Sequence, residues 1–132
     1  MNCPYCNSST KVTNSRPTAK DTKKWRRREC KKCQKIWTTH EVIDLSTSHK
    51  VLQHDGSMQP FSRDKLFISI RDSLQHRKTA LEGATYVTDT VLTRVLHLET
   101  ESMQSTKIFE IVHKTLKNYD KTAAAVYKAS HN

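Results

Sequence analysis

The stretch KKWRRRECKKC, residues 23–33, holds seven basic side chains beside a pair of cysteines separated by two residues. A second pair with the same spacing lies at the N-terminus, so the chain reads C-x2-C-x23-C-x2-C. Four thiolates brought together from two such pairs form the tetrahedral ligand set that suits zinc. We therefore expect one Zn²⁺ per chain, bound by Cys3, Cys6, Cys30 and Cys33.

Two other chemistries use cysteine pairs of this spacing. A rubredoxin-like iron site also takes four thiolates, and a redox-active dithiol takes one pair. An electron carrier has no use for three consecutive arginines, and a redox dithiol needs only one of the two pairs. The basic run at residues 26–28 therefore favours zinc.

The first 45 residues are too few to bury a stable apolar core, so a metal ion is expected to hold them together. Three segments look extended from their β-favouring residues: 11–16, 23–29 and 35–43. The sequence predicts a small β zinc ribbon with each cysteine pair in a tight turn. Asn7 and Gln34, which follow the pairs, are expected at positive φ. Trp25 and Trp37 are expected to form the ribbon core rather than to contact bases.

Charge is concentrated in the N-terminal part of the chain. Residues 1–45 hold eleven Lys and Arg against four Asp and Glu, whereas residues 46–132 hold twelve against nine. This concentration favours a polyanionic partner, and a simple solvated basic surface is the alternative. Successive side chains on a strand point to opposite faces, so three consecutive arginines cannot be equivalent. The candidate DNA contacts are Arg16, Lys24, Arg26, Arg27, Arg28 and Lys31.

The sequence lacks several motifs that would indicate export, a membrane span or an enzyme. The N-terminus is polar and contains cysteines, without an export signal, and no apolar run approaches the ~18 residues that cross a bilayer. We expect a soluble protein of the reducing cytoplasm, associated with the nucleoid. The sequence has no P-loop, no His-Glu-x-x-His motif and no paired carboxylates. It is therefore not expected to be an enzyme.

Residues 46–132 show the pattern of a second, mostly helical domain. Asp55-Gly56 lies between short extended runs at 50–53 and 57–60, which indicates a hairpin. Helix N-caps are expected at Ser62, at Thr79 as part of a capping box, at Ser105 and at Asp120. The apolar stripes expected in the core are Leu66, Phe67, Ile70 and Leu74; Ala84, Val87, Val91, Val95 and Leu98; Ile108, Ile111, Val112 and Leu116; and Ala123, Ala124 and Tyr127. The fold class is thus α+β, a β ribbon followed by a hairpin over about four helices.

Several motifs resemble one bacterial family. Cys3-Pro-Tyr-Cys6, Ser15-Arg16, WRRRECKKC and the IWTTHE of residues 36–41 are similar to the N-terminal ribbon of the NrdR family, transcriptional repressors of ribonucleotide reductase genes. VLQHDG at 51–56 and QPFSRDKL at 59–66 resemble the start of the ATP-cone, the nucleotide-sensing domain that this family shares with the reductase. The resemblance implies double-stranded promoter DNA as partner. It also implies a homo-oligomer, dimer, tetramer or larger, whose assembly depends on ATP or dATP, with dATP favouring repression.

The candidate nucleotide site combines residue chemistry with this resemblance. Lys65 falls in the first turn of a helix, where free backbone N–H groups attract phosphate, and it matches the phosphate-binding lysine of the family. Val51, Gln53, His54, Gln59, Ser62 and Ser105 match further cone positions. The family usually has lysine at position 53, glutamate at 59, aspartate at 62 and glycine at 34. An uncharged residue at 53 predicts triphosphate binding weaker by ~1–2 kcal/mol.

Two other functional classes are compatible with parts of the sequence. One is a nucleic-acid-binding zinc-ribbon protein whose ATP-cone has decayed and senses nothing, which the departures at Gln53 and Gln59 favour. The other is an enzyme subunit or activase of ribonucleotide reductase. That class would need neither the arginine run nor a complete four-cysteine site, so the repressor interpretation is preferred.

Overall fold

The computed structural model describes residues 1–17 and 23–131. The chain divides into two compact units, Met1–Ile43 and Asp44–Asn132. The boundary falls two residues before the expected one because Leu45, only 5% exposed, belongs to the hydrophobic core of the second unit. No helix in the described ranges is long and apolar enough to cross a membrane.

The first unit is a three-stranded antiparallel sheet in the order β1-β2-β3. Its strands are β1 Thr10–Pro17, β2 Lys23–Cys30 and β3 Ile36–Val42, and each end lies within one residue of the expected segment. The pairing of β1 with β2 shifts register between Val12 and Asn14, which is a β-bulge. Asn7 and Gln34, the residues after the cysteine pairs, both have φ of 61°, as expected for these turns.

The two tryptophans do not form a common core, and that expectation was wrong. Register pairs Trp25 with His40 and Trp37 with Arg28, so the two rings lie on opposite faces of one sheet. Both are only half-buried. The buried residues among those described in this unit are Cys3 and Cys30, at 3% and 1% exposure. The cysteine cluster, and not an aromatic core, is therefore the interior of the first unit.

The second unit combines a small mixed sheet with four helices. The expected hairpin is formed by β4 Lys50–Leu52 and β5 Met58–Pro60, and β6 Ser102–Gln104 pairs in parallel with β4. The helices are α1 Arg63–Ser73, α2 Ala80–Leu96, α3 Ser105–Tyr119 and α4 Lys121–Ser130. β6 was not expected, because three residues are too few to show a strand periodicity.

Two of the four expected helix caps are confirmed. The Ser62 hydroxyl accepts a hydrogen bond from the Lys65 N–H at 3.2 Å, and the Asp120 carboxylate accepts one from the Ala123 N–H at 3.0 Å. The capping box at Thr79 was wrong, because its φ of −100° and ψ of 36° are not the extended backbone that lets a side chain reach the next turn. Ser105 is itself the first residue of α3, and Gln104 occupies the cap position without a side-chain bond.

The apolar stripes pack together as one core in the second unit. Ile70, Leu74, Val87, Val91, Val95, Val112 and Leu116 are all fully buried. Leu98 lies beyond the end of α2 at Leu96, although it still packs against this core. The helical periodicity of the sequence therefore identified the interior correctly and overextended one helix by a short distance.

Candidate functional sites: a four-cysteine centre, a basic sheet and a cavity

The four cysteines converge on one point in the first unit. Their sulfur atoms all lie within 4.8 Å of one another, with Cys3 and Cys33 Sγ 3.7 Å apart and Cys6 and Cys30 Sγ 3.5 Å apart. Tetrahedral coordination with Zn–S bonds of ~2.3 Å places sulfurs ~3.8 Å from each other. The cluster therefore has the size and the ligand type that zinc requires.

Backbone N–H groups in the tight turns point at the sulfurs. Those of Lys32 and Cys33 both lie 3.3 Å from Cys30 Sγ, and that of Tyr5 lies 3.4 Å from Cys3 Sγ. Such N–H···S bonds stabilise thiolates, the form that binds a metal. The turns thus prepare the sulfurs to act as ligands.

The pKa values of Cys6 and Cys33 shift in opposite directions. Hydrogen bonds from Ser8 lower the pKa of Cys6 to about 6. The backbone N–H of Lys35 favours the Cys33 thiolate, but burial and contacts with the other three cysteines outweigh it and raise the Cys33 pKa to about 11. Four thiolates this close repel one another without a cation. A divalent ion at the centre removes that repulsion, which agrees with a structural zinc site.

The six basic residues selected from the sequence do not lie on one surface. The register places Arg16 directly opposite Trp25, and Trp25 shares its face with Arg27; we call Arg16, Trp25 and Arg27 the tryptophan face. Lys24, Arg26, Arg28 and Glu41 form the opposite surface, which we call the glutamate face. Lys31 is exposed in the turn between Cys30 and Cys33. The expected non-equivalence of the three arginines is present in the sheet.

The tryptophan face also carries Glu29, which pairs with Lys11 at 3.9 Å, and its two guanidinium groups have no acidic partner among the described residues. The guanidinium carbons of Arg16 and Arg27 lie 5.8 and 5.6 Å from the centre of the Trp25 ring, within cation–π range. Within the described ranges, neither group has a carboxylate at ion-pair distance. Stacking restricts both side chains without neutralising them, so their charge stays available to an anion.

The glutamate face is partly neutralised. Arg26 forms an ion pair with Glu41 at 3.3 Å, and Arg28 is half-buried with its Nε shielded from solvent and unpaired among the described atoms. Trp37 stands opposite Arg28 and packs edge-on against Tyr5 at 6.3 Å between ring centres. On this side one arginine is therefore paired and the other is half-buried, whereas both arginines of the tryptophan face are exposed and unpaired among the described residues.

The second unit contains a cavity of about 640 Å³ between the hairpin and helices α1, α3 and α4. All seven residues selected as nucleotide contacts line it: Val51, Gln53, His54, Gln59, Ser62, Lys65 and Ser105. They come from three separate stretches of sequence that only the fold brings together. The volume falls within the ~300–1,000 Å³ typical of small-molecule sites.

The chemistry of the cavity suits an anion with an aromatic part. Lys65 and the first turn of α1 provide a cation and backbone N–H groups, and Ser105 and Thr106 open α3 on the same cavity. Among the described residues that line it there is no carboxylate. A negatively charged ligand therefore meets only attractive or neutral groups there.

Sequence reasoning missed the aromatic wall of this cavity. Phe109 stacks on Tyr127 at 5.5 Å between ring centres, and Tyr127 stacks on His131 at 4.0 Å. All three line the cavity, and burial raises the pKa of Tyr127 to about 12, so its hydroxyl keeps its proton. Tyr127 is buried in the core, as its helical spacing predicts, and it lines the cavity as well, which spacing alone does not reveal.

Comparison with known proteins agrees with both units. The model described as "Transcriptional repressor NrdR-like, N-terminal domain" matches residues 1–41, and that described as "ATP cone domain" matches residues 49–131. Together these matches span nearly the whole chain in the expected order.

Full-length relatives give the same result. The transcriptional repressor NrdR of Aromatoleum aromaticum is 35% identical over 97% of this chain and 77% of its own length. The protein of the same name from Pelobacter propionicus is 35% identical over 98% and 89%, and that of a Thermoanaerobacter species is 34% identical over 97% and 84%. These relatives are named as repressors, a regulatory and non-enzymatic role, and this chain belongs to the NrdR family with its zinc ribbon and ATP-cone.

Proposed function

We propose that this protein is a zinc-dependent, DNA-binding transcriptional repressor of ribonucleotide reductase genes, controlled by ATP or dATP in the ATP-cone. The observation that carries the proposal is the cavity, because seven residues selected from sequence as nucleotide contacts line one carboxylate-free space. The names of the relatives support repression as the output. The protein acts in the cytoplasm, on the nucleoid.

Zinc has a structural role in this proposal. Cys3, Cys6, Cys30 and Cys33 would bind it, and no open coordination position remains for a substrate in a four-thiolate site. Since the cysteines supply the buried interior of the first unit, the ion supports the strands that carry the basic residues. Loss of the ion is expected to abolish DNA binding by unfolding this unit.

We place the tryptophan face on the duplex. Arg16 and Arg27 have no acidic partner among the described residues, whereas Arg26 must give up Glu41 before it can bind phosphate. Arginine suits both phosphate and guanine because its planar fork donates two parallel hydrogen bonds. Lys24 and Arg28 on the opposite face, and Lys31 in its turn, add to the positive field around the contact. Electrostatic attraction of this kind depends steeply on salt.

The nucleotide is held by its phosphates at Lys65 and the start of α1, with Gln53, His54 and Gln59 of the hairpin above it. Val51, Ser62 and Ser105 complete the lining, and Phe109 and Tyr127 offer aromatic surface to the base. Nucleotide can alter DNA binding only if it binds two assemblies of the protein with different affinity. ATP and dATP are therefore proposed to select different homo-oligomers, dATP favouring the one that represses.

Native mass spectrometry of the purified protein, alone and with ATP or dATP, tests the whole proposal. We expect one zinc per chain, bound nucleotide, and an assembly mass that differs between the two nucleotides. DNA binding is then measured against salt on a promoter duplex and on a random duplex. An unchanged mass with both nucleotides would instead favour the alternative, a zinc-ribbon protein with a decayed cone. Equal affinity for the two duplexes would exclude a sequence-specific repressor.

A further inference from the structure

His131, at the C-terminal end of α4, lies where two cavities of the second unit meet. The cavity of about 640 Å³ and a second one of about 390 Å³ share Lys65, Ser69 and His131 in their walls. Lys65 and Ser69 come from α1, so the junction is formed by α1 and the end of α4. A ligand phosphate bound at Lys65 therefore occupies a cavity whose wall also contains the His131 imidazole.

The contacts of His131 fix which ring nitrogen is free. Its ring stacks on Tyr127 at 4.0 Å, and its Nδ1 lies 2.8 Å from the backbone carbonyl oxygen of Tyr127. A carbonyl can only accept, so Nδ1 carries the proton and donates it. Nε2 is left as an acceptor in the neutral ring and becomes a second donor when the ring is protonated. Only the protonated ring can donate to a phosphate through Nε2.

Few other charged groups face this imidazole. From α1 they are Lys65 and Asp72, and Asp72 is already paired with Arg71 at 2.8 Å. The hairpin contributes His54, and α4 contributes Tyr127. The part of α3 that lines the larger cavity, Ser105, Thr106, Ile108 and Phe109, carries no titratable side chain. Among the described residues that line the larger cavity, Lys65 is thus the permanent cation. His54 and His131 are the lining residues that become cations when protonated.

We infer that nucleotide binding by this protein takes up a proton at His131, whose cationic ring joins Lys65 on the phosphates. The inference rests on the proposed nucleotide function and adds to it one further phosphate contact. It explains how a cavity with uncharged Gln53 still gathers positive charge around a triphosphate. Phosphate raises the proton affinity of a neighbouring imidazole, so binding must strengthen as pH falls through the imidazole range.

Calorimetric titration of the full chain with ATP at pH 6, 7 and 8 tests this. The variants are His131→Gln, which keeps a polar side chain without the charge, and His131→Lys, which makes the charge permanent. His97→Gln is the matched control, because His97 caps α2 and is outside the described lining of both cavities. Phosphate itself titrates with a pKa near 6, so wild type and variants are compared at each pH rather than across pH.

We expect His131→Gln to weaken ATP binding roughly tenfold at pH 6 and little at pH 8, since one unit of linked pKa shift corresponds to tenfold in affinity. His131→Lys should bind ATP as tightly as wild type at pH 6 and more tightly than wild type at pH 8, and His97→Gln should match wild type at each pH. Repeating the titration in buffers of different ionisation enthalpy should show fewer protons taken up by His131→Gln. Equal weakening of His131→Gln at all three pH values, with unchanged proton uptake, would overturn the inference. No ATP binding by wild type at any pH would instead refute the proposed function.

Discussion

Arg26 and Arg27 are neighbours on β2, and replacing each with glutamine should have different effects on DNA binding. Both substitutions remove one positive charge from the same strand, so any effect of net charge alone is equal. Arg27 stacks on Trp25 at 5.6 Å on the tryptophan face, whereas Arg26 pairs with Glu41 at 3.3 Å on the glutamate face. We expect Arg27→Gln to remove a direct phosphate or base contact and Arg26→Gln to leave the contacts intact.

The size of the difference follows from counterion release. One phosphate contact contributes ~0.9 to the slope of log K against log salt, so Arg27→Gln should reduce that slope by about one for each bound chain. Between 50 and 200 mM salt, such a contact accounts for roughly a 3.5-fold change in affinity. The Arg26–Glu41 side chains are 32% and 70% exposed, and an exposed pair of this kind contributes ~0–1 kcal/mol to stability. Arg26→Gln should therefore be nearly neutral in both folding and slope.

Fluorescence anisotropy with a labelled promoter duplex, at four or more salt concentrations, measures both slopes. Zinc content and thermal unfolding of each variant show whether the first unit is intact. Equal loss of slope in the two variants would mean that only the overall field matters, and a larger loss for Arg26→Gln would place the glutamate face on the DNA. Either result refutes the assignment of the tryptophan face.

Three further perturbations address zinc, nucleotide and stability. Cys6→Ser should abolish zinc retention and the β signal of the first unit in circular dichroism while the helical signal of the second unit stays, because the cysteine cluster is the interior of the ribbon. Gln53→Lys should tighten ATP and dATP binding by ~1–2 kcal/mol in calorimetry, through an added charge-assisted hydrogen bond. Asp120→Ala should lower the free energy of unfolding by about 2 kcal/mol in urea titrations, since it removes a helix cap and bonds from His76 and Arg77, both 38% exposed and therefore discounted. The Ala123 N–H and the bonds from His76 and Arg77 hold the Asp120 pKa well below its ordinary 3.8. This contribution is therefore full at neutral pH, begins to fall near pH 4 and is lost progressively as pH drops toward the lower native pKa.

The parts of the fold that could be predicted are those with strong local signals. Cysteine spacing, strand alternation and helical periodicity depend on neighbouring residues, and they gave the ribbon and the four helices. β6 could not be found because its three residues pair with β4 about fifty positions earlier in the chain. The Thr79 cap was wrong although its residue types fit, because the backbone there has φ of −100° and ψ of 36°, which is not cap geometry.

The candidate sites show the same division between local and tertiary information. The cysteine ligands are predictable because two short loops carry all of them. The partners of the arginines cannot be predicted in the same way. The Arg26–Glu41 pair and the stacking on Trp25 depend on strand register and on a bulge in β1. His131 was not selected because a lone histidine at a helix end has no motif. Its stacking on Tyr127, and its place in the same cavity wall as Lys65, depend on the packing of α1 and α4.

Discrimination between ATP and dATP sets a further requirement on the proposed repressor. The two nucleotides differ by one hydroxyl group, and one hydrogen bond to it contributes only ~0.5–1.5 kcal/mol. Moving an equilibrium between two assemblies from 1:99 to 99:1 takes ~5.5 kcal/mol of differential binding. A single cavity cannot supply that difference, whereas about four cavities that change together can, at roughly 1.4 kcal/mol each. We therefore expect the change of assembly mass with the fraction of dATP to be steeper than one-site binding allows. A transition no steeper than that for one site would mean that each chain responds independently and that nucleotide identity alone cannot switch repression.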